Sequence, residues 1–409
     1  MRNFILVMLL IISAWVFMRV FRYAWRKWDY AKRSGLRHKF PHRAAGVVFG
    51  KDRLRLVCSP ETSEGSIAIF GGSGSGKSAG IIIPTLRAWS GTAFVIDISG
   101  DIEKNVPDAS KVVYAPENSA TLPYNVFAAV DACADIEEQN ELLQQLVLSL
   151  IPKEAQDGDV TIFYKGEARK LLQSAFLAYY HAGLDFIPIC QQIVDCGYEV
   201  LLADINASEN ELAKRLIAAF EGGNERTLAG IKQEADNAIM LFATNEKVGR
   251  TLRRPALGEC SIFPETLETK SVYIIIDDVK LELYAPLLRL ITCQTLEYLS
   301  GRENFKNPPI LLALDEFSSL GKLDIKPALQ KLRKRNVRIM ICTQSLLDLD
   351  LIYGSTERKA MLDNCPYKVV LSASDTDTQK YFSDLAGEQT VYRATTTTSA
   401  YDVSESLTV

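Results

Sequence analysis

The sequence predicts an α/β fold with a parallel-rich sheet, and three observations carry that expectation. Ser66–Pro84 sets a glycine-rich loop between an apolar run and a helix-compatible run. Short β-rich runs alternate with segments of helical periodicity over most of the chain, the pattern of strands joined by crossover helices. Two of the runs end in acids, at Asp97 and at Asp315-Glu316, where an open parallel sheet gathers its ligand-binding groups.

In the loop, Gly71, Gly72, Ser73, Gly74, Ser75, Gly76, Lys77 and Ser78 fit G-x-x-x-x-G-K-[ST]. The glycines let the backbone turn tightly, so several N–H groups converge on one phosphate. Lys77 is expected to reach the β- and γ-phosphates of ATP, and the Ser78 hydroxyl to hold Mg²⁺. Ile67–Phe70 reads as a strand entering the loop. Ala79–Leu86 opens a helix whose N-terminus adds partial positive charge.

A length of 409 residues suggests two or three domains. The eight cysteines form no CxxC pair and there are only three histidines, so zinc spacing is absent and Mg²⁺ is the one metal expected. Scattered cysteines in apolar runs, such as Ile341-Cys342, read as reduced core residues. Charge is uneven. Residues 1–45 carry ten Lys/Arg against Asp29 alone, and the remaining 36 Lys/Arg against 49 Asp/Glu leave a net charge of −13. A body this acidic is no bulk nucleic-acid binder.

Residues 1–45 read as a membrane anchor and basic juxtamembrane linker. Phe4–Met18 is an unbroken apolar run of 15 residues, about 22 Å as a helix against a roughly 30 Å hydrocarbon core. Snorkelling by Arg2 and Arg19 would extend it to Phe21 or Tyr23. A signal peptide would fit the apolar length, but no small-x-small cleavage site follows; an interfacial helix is the other reading. The basic flank predicts a single pass with the body on the cytoplasmic side.

Residues 46–154 read as the first part of a nucleotide-binding domain. Thr92–Asp97 is a strand expected beside the loop strand, with Asp97 either a second acid near Mg²⁺ or a turn-initiating residue before Ser99-Gly100. Residues 155–245 read as an all-α insertion, because Glu167–Tyr180, Glu209–Phe220 and Thr227–Thr244 keep helical spacing with hardly any strand pattern between them. Residues 246–409 return to strands. Pro309–Glu316 runs five apolar residues into two acids. Asp315 is expected to hold Mg²⁺, and Glu316 to orient and deprotonate the attacking water. Val337–Gln344 is a strand whose terminal Gln344 either touches the γ-phosphate or only caps. Lys322–Arg338 is a basic strip or a solvated helix face. Five or more strands alternating with helices argue for a RecA-like P-loop ATPase core.

Several stretches then occur in one order: GGSGSGKSAGIIIPTL, FVIDISGD, LPYNVF, FYKGEARKLL, LLALDEFSSLGKL, RKRNVRIMICTQS, DLIYG, NCPYKVVL and DLAGEQTV. Over about residues 45–395 the chain resembles the coupling proteins of type IV secretion and conjugation, the TraG/TraD type. The resemblance implies a bacterial inner-membrane ATPase, hexameric around a channel, with an inserted all-α domain. It implies relaxase–DNA or effector-protein cargo and secretion-channel partners. Lys77 and Ser78 then take the Walker A places, Asp315 and Glu316 the Walker B places, and Gln344 that of the post-B glutamine. Arg333 sits where the family has an arginine finger acting across the subunit interface. The chain departs from the family in expecting one span rather than two, in Asp97-Ile98-Ser99-Gly100-Asp101 for the usual Asp-Pro-Lys-Gly-Glu, and in Leu332 before Arg333. The family usually continues past the position of Val409 with a cargo-reading piece. Alternative readings are an FtsK/HerA-like DNA translocase and a nucleotide-gated cargo adaptor with little turnover.

Overall fold

A computed structural model describes residues 17–22, 25, 37–39, 46–52, 55–59, 65–108, 110–152, 157–220, 222–303, 307–323, 325–388, 393–398 and 403–408. Three short strands, β1 (Arg37–Lys39), β2 (Val48–Asp52) and β3 (Arg55–Cys58), form an antiparallel sheet in the order β1-β3-β2. The main sheet holds β4 (Ile67–Phe70), β5 (Thr92–Asp97), β6 (Val112–Tyr114), β7 (Val272–Ile275), β8 (Ile310–Leu314), β9 (Val337–Thr343) and β10 (Tyr367–Val370). Its order is β10-β4-β9-β8-β5-β7-β6, and every pairing is parallel. A separate antiparallel hairpin joins β11 (Arg393–Thr398) to β12 (Val403–Thr408).

The central strands read as continuous apolar runs because both sheet faces are covered. All five residues of β8 are buried. Side chains alternate between two cores, as strand pleating requires. Phe70, Ile96, Leu312, Leu314 and Ile341 face one core, and Ile69, Val95, Leu311, Ala313 and Cys342 face the other. The second core is closed by Ile81, Ile82 and Leu86 after the glycine loop and by Ile102.

The helices are α1 (Ile83–Ala88), α2 (Asp101–Asn105), α3 (Ala128–Ala132), α4 (Ile136–Leu150), α5 (Asp159–His181), α6 (Phe186–Asp195) and α7 (Tyr198–Ala207). They continue with α8 (Glu211–Ile217), α9 (Glu225–Thr244), α10 (Glu246–Thr251), α11 (Leu281–Gly301), α12 (Ile325–Lys331), α13 (Leu346–Asp363) and α14 (Thr376–Ala386). Side chains of Asp135, Asp185, Asn210, Asn224 and Asn245 accept first-turn N–H groups of α4, α6, α8, α9 and α10, which fixes where those helices start. The helices between β6 and β7 share one core with the sheet. Phe176, Phe186, Ile239 and Phe242 belong to the same buried cluster as Phe94, Leu288 and Leu312. The Phe186 ring lies 5.8 Å from Phe176, 6.0 Å from Phe127 and 5.2 Å from Phe242.

Two expectations are corrected. The strand β5 does not lie beside β4; β9 and β8 stand between them, and the neighbours of β4 are β10 and β9. The single-pass inner-membrane placement also falls, because no helix among the described residues is long and apolar enough to cross a membrane. Residues 4–16 of the expected span lie outside the described residues. The described stretch Phe17–Arg22 is helical, with exposed Phe17, Met18, Val20 and Phe21. Six residues rise only about 9 Å against a core of roughly 30 Å.

Candidate functional site

The glycine loop leaves β4 at the C-terminal edge of the sheet and is tied to both neighbouring strands. Gly71 N–H donates to Thr343 O at the end of β9 (3.1 Å), and Gly72 N–H donates to Ser372 Oγ just past β10 (3.1 Å). Inside the loop, Ser75 N–H donates to Gly72 O (3.2 Å) and Gly80 N–H to Gly76 O (2.7 Å). Gly74 and Gly76 sit at φ +73° and +91°, a region that strains any L side chain. A β-carbon on Gly71 would meet Ser75 Oγ at 2.3 Å. The expected helix follows, with a π-type first turn over Ser78–Ile82 leading into α1.

Lys77 is buried, with its Nζ donating to Gly71 O at 2.6 Å and standing 3.9 Å from Glu316 Oε2. Ser78 Oγ donates to Asp315 Oδ2 at 3.2 Å. Burial pushes the Asp315 carboxyl up, and the bond from Ser78 pulls it back in part. Glu316 is one of two non-glycine residues with positive φ among the described residues, at φ 48°, a conformation costing on the order of 1 kcal/mol or more. Gln344, directly after β9, donates from Nε2 to Glu316 Oε1 at 2.9 Å. The sheet order explains this meeting, since β9 lies between β4 and β8 and brings Gln344 to both motifs.

The residues fit a magnesium nucleotide. Ser75 Oγ is buried with no hydrogen-bond partner inside the loop, a polar atom left for a ligand. Ser78 and Asp315 supply hard oxygen donors of the kind Mg²⁺ takes.

Asp97 does not join this group. Its carboxylate accepts Gly100 N–H (2.9 Å) and Glu103 N–H (2.7 Å) and so starts the turn into α2; burial raises its carboxyl. Nor is Arg333 brought to the site within one chain. It is exposed, in the turn Leu332–Arg335 that precedes β9. The seven residues of β9 separate it from Gln344 by about 23 Å. Two members of the basic strip are engaged elsewhere: Lys322 pairs with Glu357, and Arg338 lies over the Trp89 ring at 5.4 Å. Ser372 escaped the sequence reading, and its only signal was its place one residue after the Tyr367–Leu371 run.

The glycine loop, the acids of β8 and the intervening β9 define a P-loop nucleotide-binding protein with a RecA-like sheet. The chain belongs to the type IV secretory system conjugative DNA transfer family, whose family model matches residues 37–408. It is 25% identical over 384 residues to Protein VirD4 of Rhizobium rhizogenes, covering 90% of this chain and 56% of that one. It is 22% identical over 346 residues to the conjugal transfer protein TraG of Rhizobium radiobacter, covering 79% and 52%. The chain thus spans about half the length of these curated relatives. The bacterial conjugative coupling protein TrwBdeltaN70 in its unbound monoclinic form shares the fold, with a TM-score of 0.71, 18% identity, and coverage of 93% of this chain and 83% of that one. The plasmid coupling protein TrwB in complex with ADP and Mg²⁺ aligns with a TM-score of 0.68 and 20% identity, over 87% and 79%.

Proposed function

We propose that this chain is an ATP-driven motor that passes relaxase–DNA or effector-protein cargo to a type IV secretion channel. The observation that carries the reading is the Ser78–Asp315 bond, which joins motifs 237 residues apart in a P-loop arrangement. The relatives' names, conjugal transfer and coupling proteins, support the cargo class, and TrwB in complex with ADP and Mg²⁺ supports the ligand. Bound Mg²⁺ would neutralise phosphate charge as it develops in the reaction.

The backbone N–H groups of Gly71–Ser78 cradle the phosphates, and Lys77 turns from Gly71 O toward their oxygens. Ser78 and Asp315 would hold the metal. Glu316 takes the proton of the attacking water, and Gln344, already bonded to Glu316, orients the base. Arg333, exposed on the opposite sheet edge, reaches the site of a neighbouring copy in a ring, a hexamer in this reading.

ATP turnover of the full chain, measured against protein concentration with and without single-stranded DNA, tests this. Turnover that rises steeply with concentration supports a subunit-bridging site, and stimulation by DNA supports a nucleic-acid motor. Turnover that survives Lys77→Ala refutes the site assignment. Arg333→Ala is expected to be inactive alone and rescued by wild-type copies; full activity alone places the finger elsewhere.

A further inference from the structure

A groove of about 1200 Å³ opens on the far side of the molecule from the glycine loop. One wall is α3 and α4; the other is Phe263–Glu268 with the C-terminal half of α11. It lies toward the N-terminal edge of the main sheet, because Arg302 in its lining bonds the carbonyls of Pro308 and Arg335, just before β8 and β9. The groove exceeds the roughly 300–1,000 Å³ of ordinary small-molecule pockets, so its size suits a chain segment.

We propose that this groove docks a lysine- or arginine-rich segment of a partner protein. Its lining includes the small or apolar Ala128, Ala129, Ala132 and Leu142, so a peptide backbone can approach closely. Among the described residues its lining carries five carboxylates, Glu138, Glu265, Glu268, Glu297 and Glu303, against the one cation Arg302. That guanidinium is committed, 2% exposed and 2.7 Å from Glu268 Oε1. The Glu297 side chain reaches groove water yet is crowded by protein, which pushes its carboxyl up to about 7; an arriving cation would relieve that.

The same carboxylates repel phosphate, which excludes nucleic acid as the occupant. Val47 and Val48, which follow the basic N-terminal stretch in the sequence, lie on the other side of the sheet. There Val47 belongs to the core beneath the glycine-loop helix, and Val48 N–H donates to Thr85 Oγ1. The groove's Val126, Val130 and Leu146 belong to the opposite core.

Docking needs no ATP turnover, so binding is read without nucleotide, and its failure leaves the motor reading untouched. The probe is a fluorescein-labelled 12-residue peptide of alternating Lys and Ala, followed by anisotropy with the full chain. The triple variant Glu138→Gln, Glu265→Gln, Glu297→Gln is expected to weaken binding about tenfold. The triple Glu199→Gln, Glu209→Gln, Glu211→Gln, on exposed carboxylates of the helical region, is expected to bind within twofold of wild type. Equal weakening by both triples, or none by the first, overturns the proposal. An unchanged thermal midpoint confirms that the variants remain folded.

Discussion

The two edges of the main sheet are built on opposite rules. At the C-terminal edge the loop is glycine, Glu316 is held at positive φ, and Ser75 Oγ is buried without a partner. At the N-terminal edge Arg302 satisfies both oxygens of Glu268 and two backbone carbonyls while 2% exposed. Parallel strands all end on one side, so that edge collects the under-satisfied groups on which ligand chemistry depends, whereas the positive-φ residue of the other edge, Asn336, donates from its side-chain amide to Asn307 O. The other edge is free to be closed by paired charge. Function and stability should therefore separate by edge when residues are changed.

The largest separation is expected at Glu316. Glu316→Gln should lower ATP turnover about 10²- to 10³-fold and leave the thermal midpoint nearly unchanged, since its pair with Lys77 spans 3.9 Å and the amide oxygen can still accept from Gln344. A fall in midpoint that matches the loss of activity would erase the contrast. On the opposite edge, Arg302→Ala leaves two carbonyls unpaired and Glu268 with the Tyr298 hydroxyl in place of a charged partner. It should cost about 3 kcal/mol in chemical denaturation while nucleotide affinity of the folded fraction stays within twofold. Gln344→Ala removes one hydrogen bond to a charged group and should slow turnover about tenfold, with KM for ATP little changed. A change in KM alone would make Gln344 a binding residue.

The smallest effect concerns a side-chain cluster just past the C-terminal ends of β6 and β7. Glu117 joins Lys247, Lys280 and the Tyr284 hydroxyl, and the bonds from Lys247 and Lys280 hold its carboxyl down at about 2 from an ordinary 4.5. Because the folded value is the lower one, this stabilisation is present above pH 4.5 and lost as the pH falls from 4.5 to about 2. Wild type and Glu117→Gln should therefore differ in denaturant midpoint at pH 7 and converge near pH 2. A difference that persists at pH 2 would assign the stability to packing instead of charge.

Much of this was legible in the sequence, because the residues at fault-intolerant places announce themselves. The strand limits 92–97 match the structure residue for residue, since a central strand covered on both faces reads as a mostly apolar run. The meeting of Ser78 with Asp315 was legible because each carries its own motif. Lateral strand order was not. An apolar run does not encode its neighbours, and β5 was placed beside β4 for that reason. The helices α6 and α7 went unread: Pro188 and Gly197 look like breakers, although Pro188 falls in the first turn of α6 and Gly197 precedes α7. The groove was invisible because its two walls lie more than a hundred residues apart in the chain.

The core shared by the helices and the sheet makes the region between Tyr114 and Val272 unseverable. A protease that cut both flanks would have to pull Phe176 and Phe186 out of a cluster that also holds Phe94 and Leu312. Limited digestion should therefore nick this chain and leave the fragments associated until denaturant is added. A displacement imposed on these helices is likewise a displacement of the sheet, with no slip plane in between to absorb it.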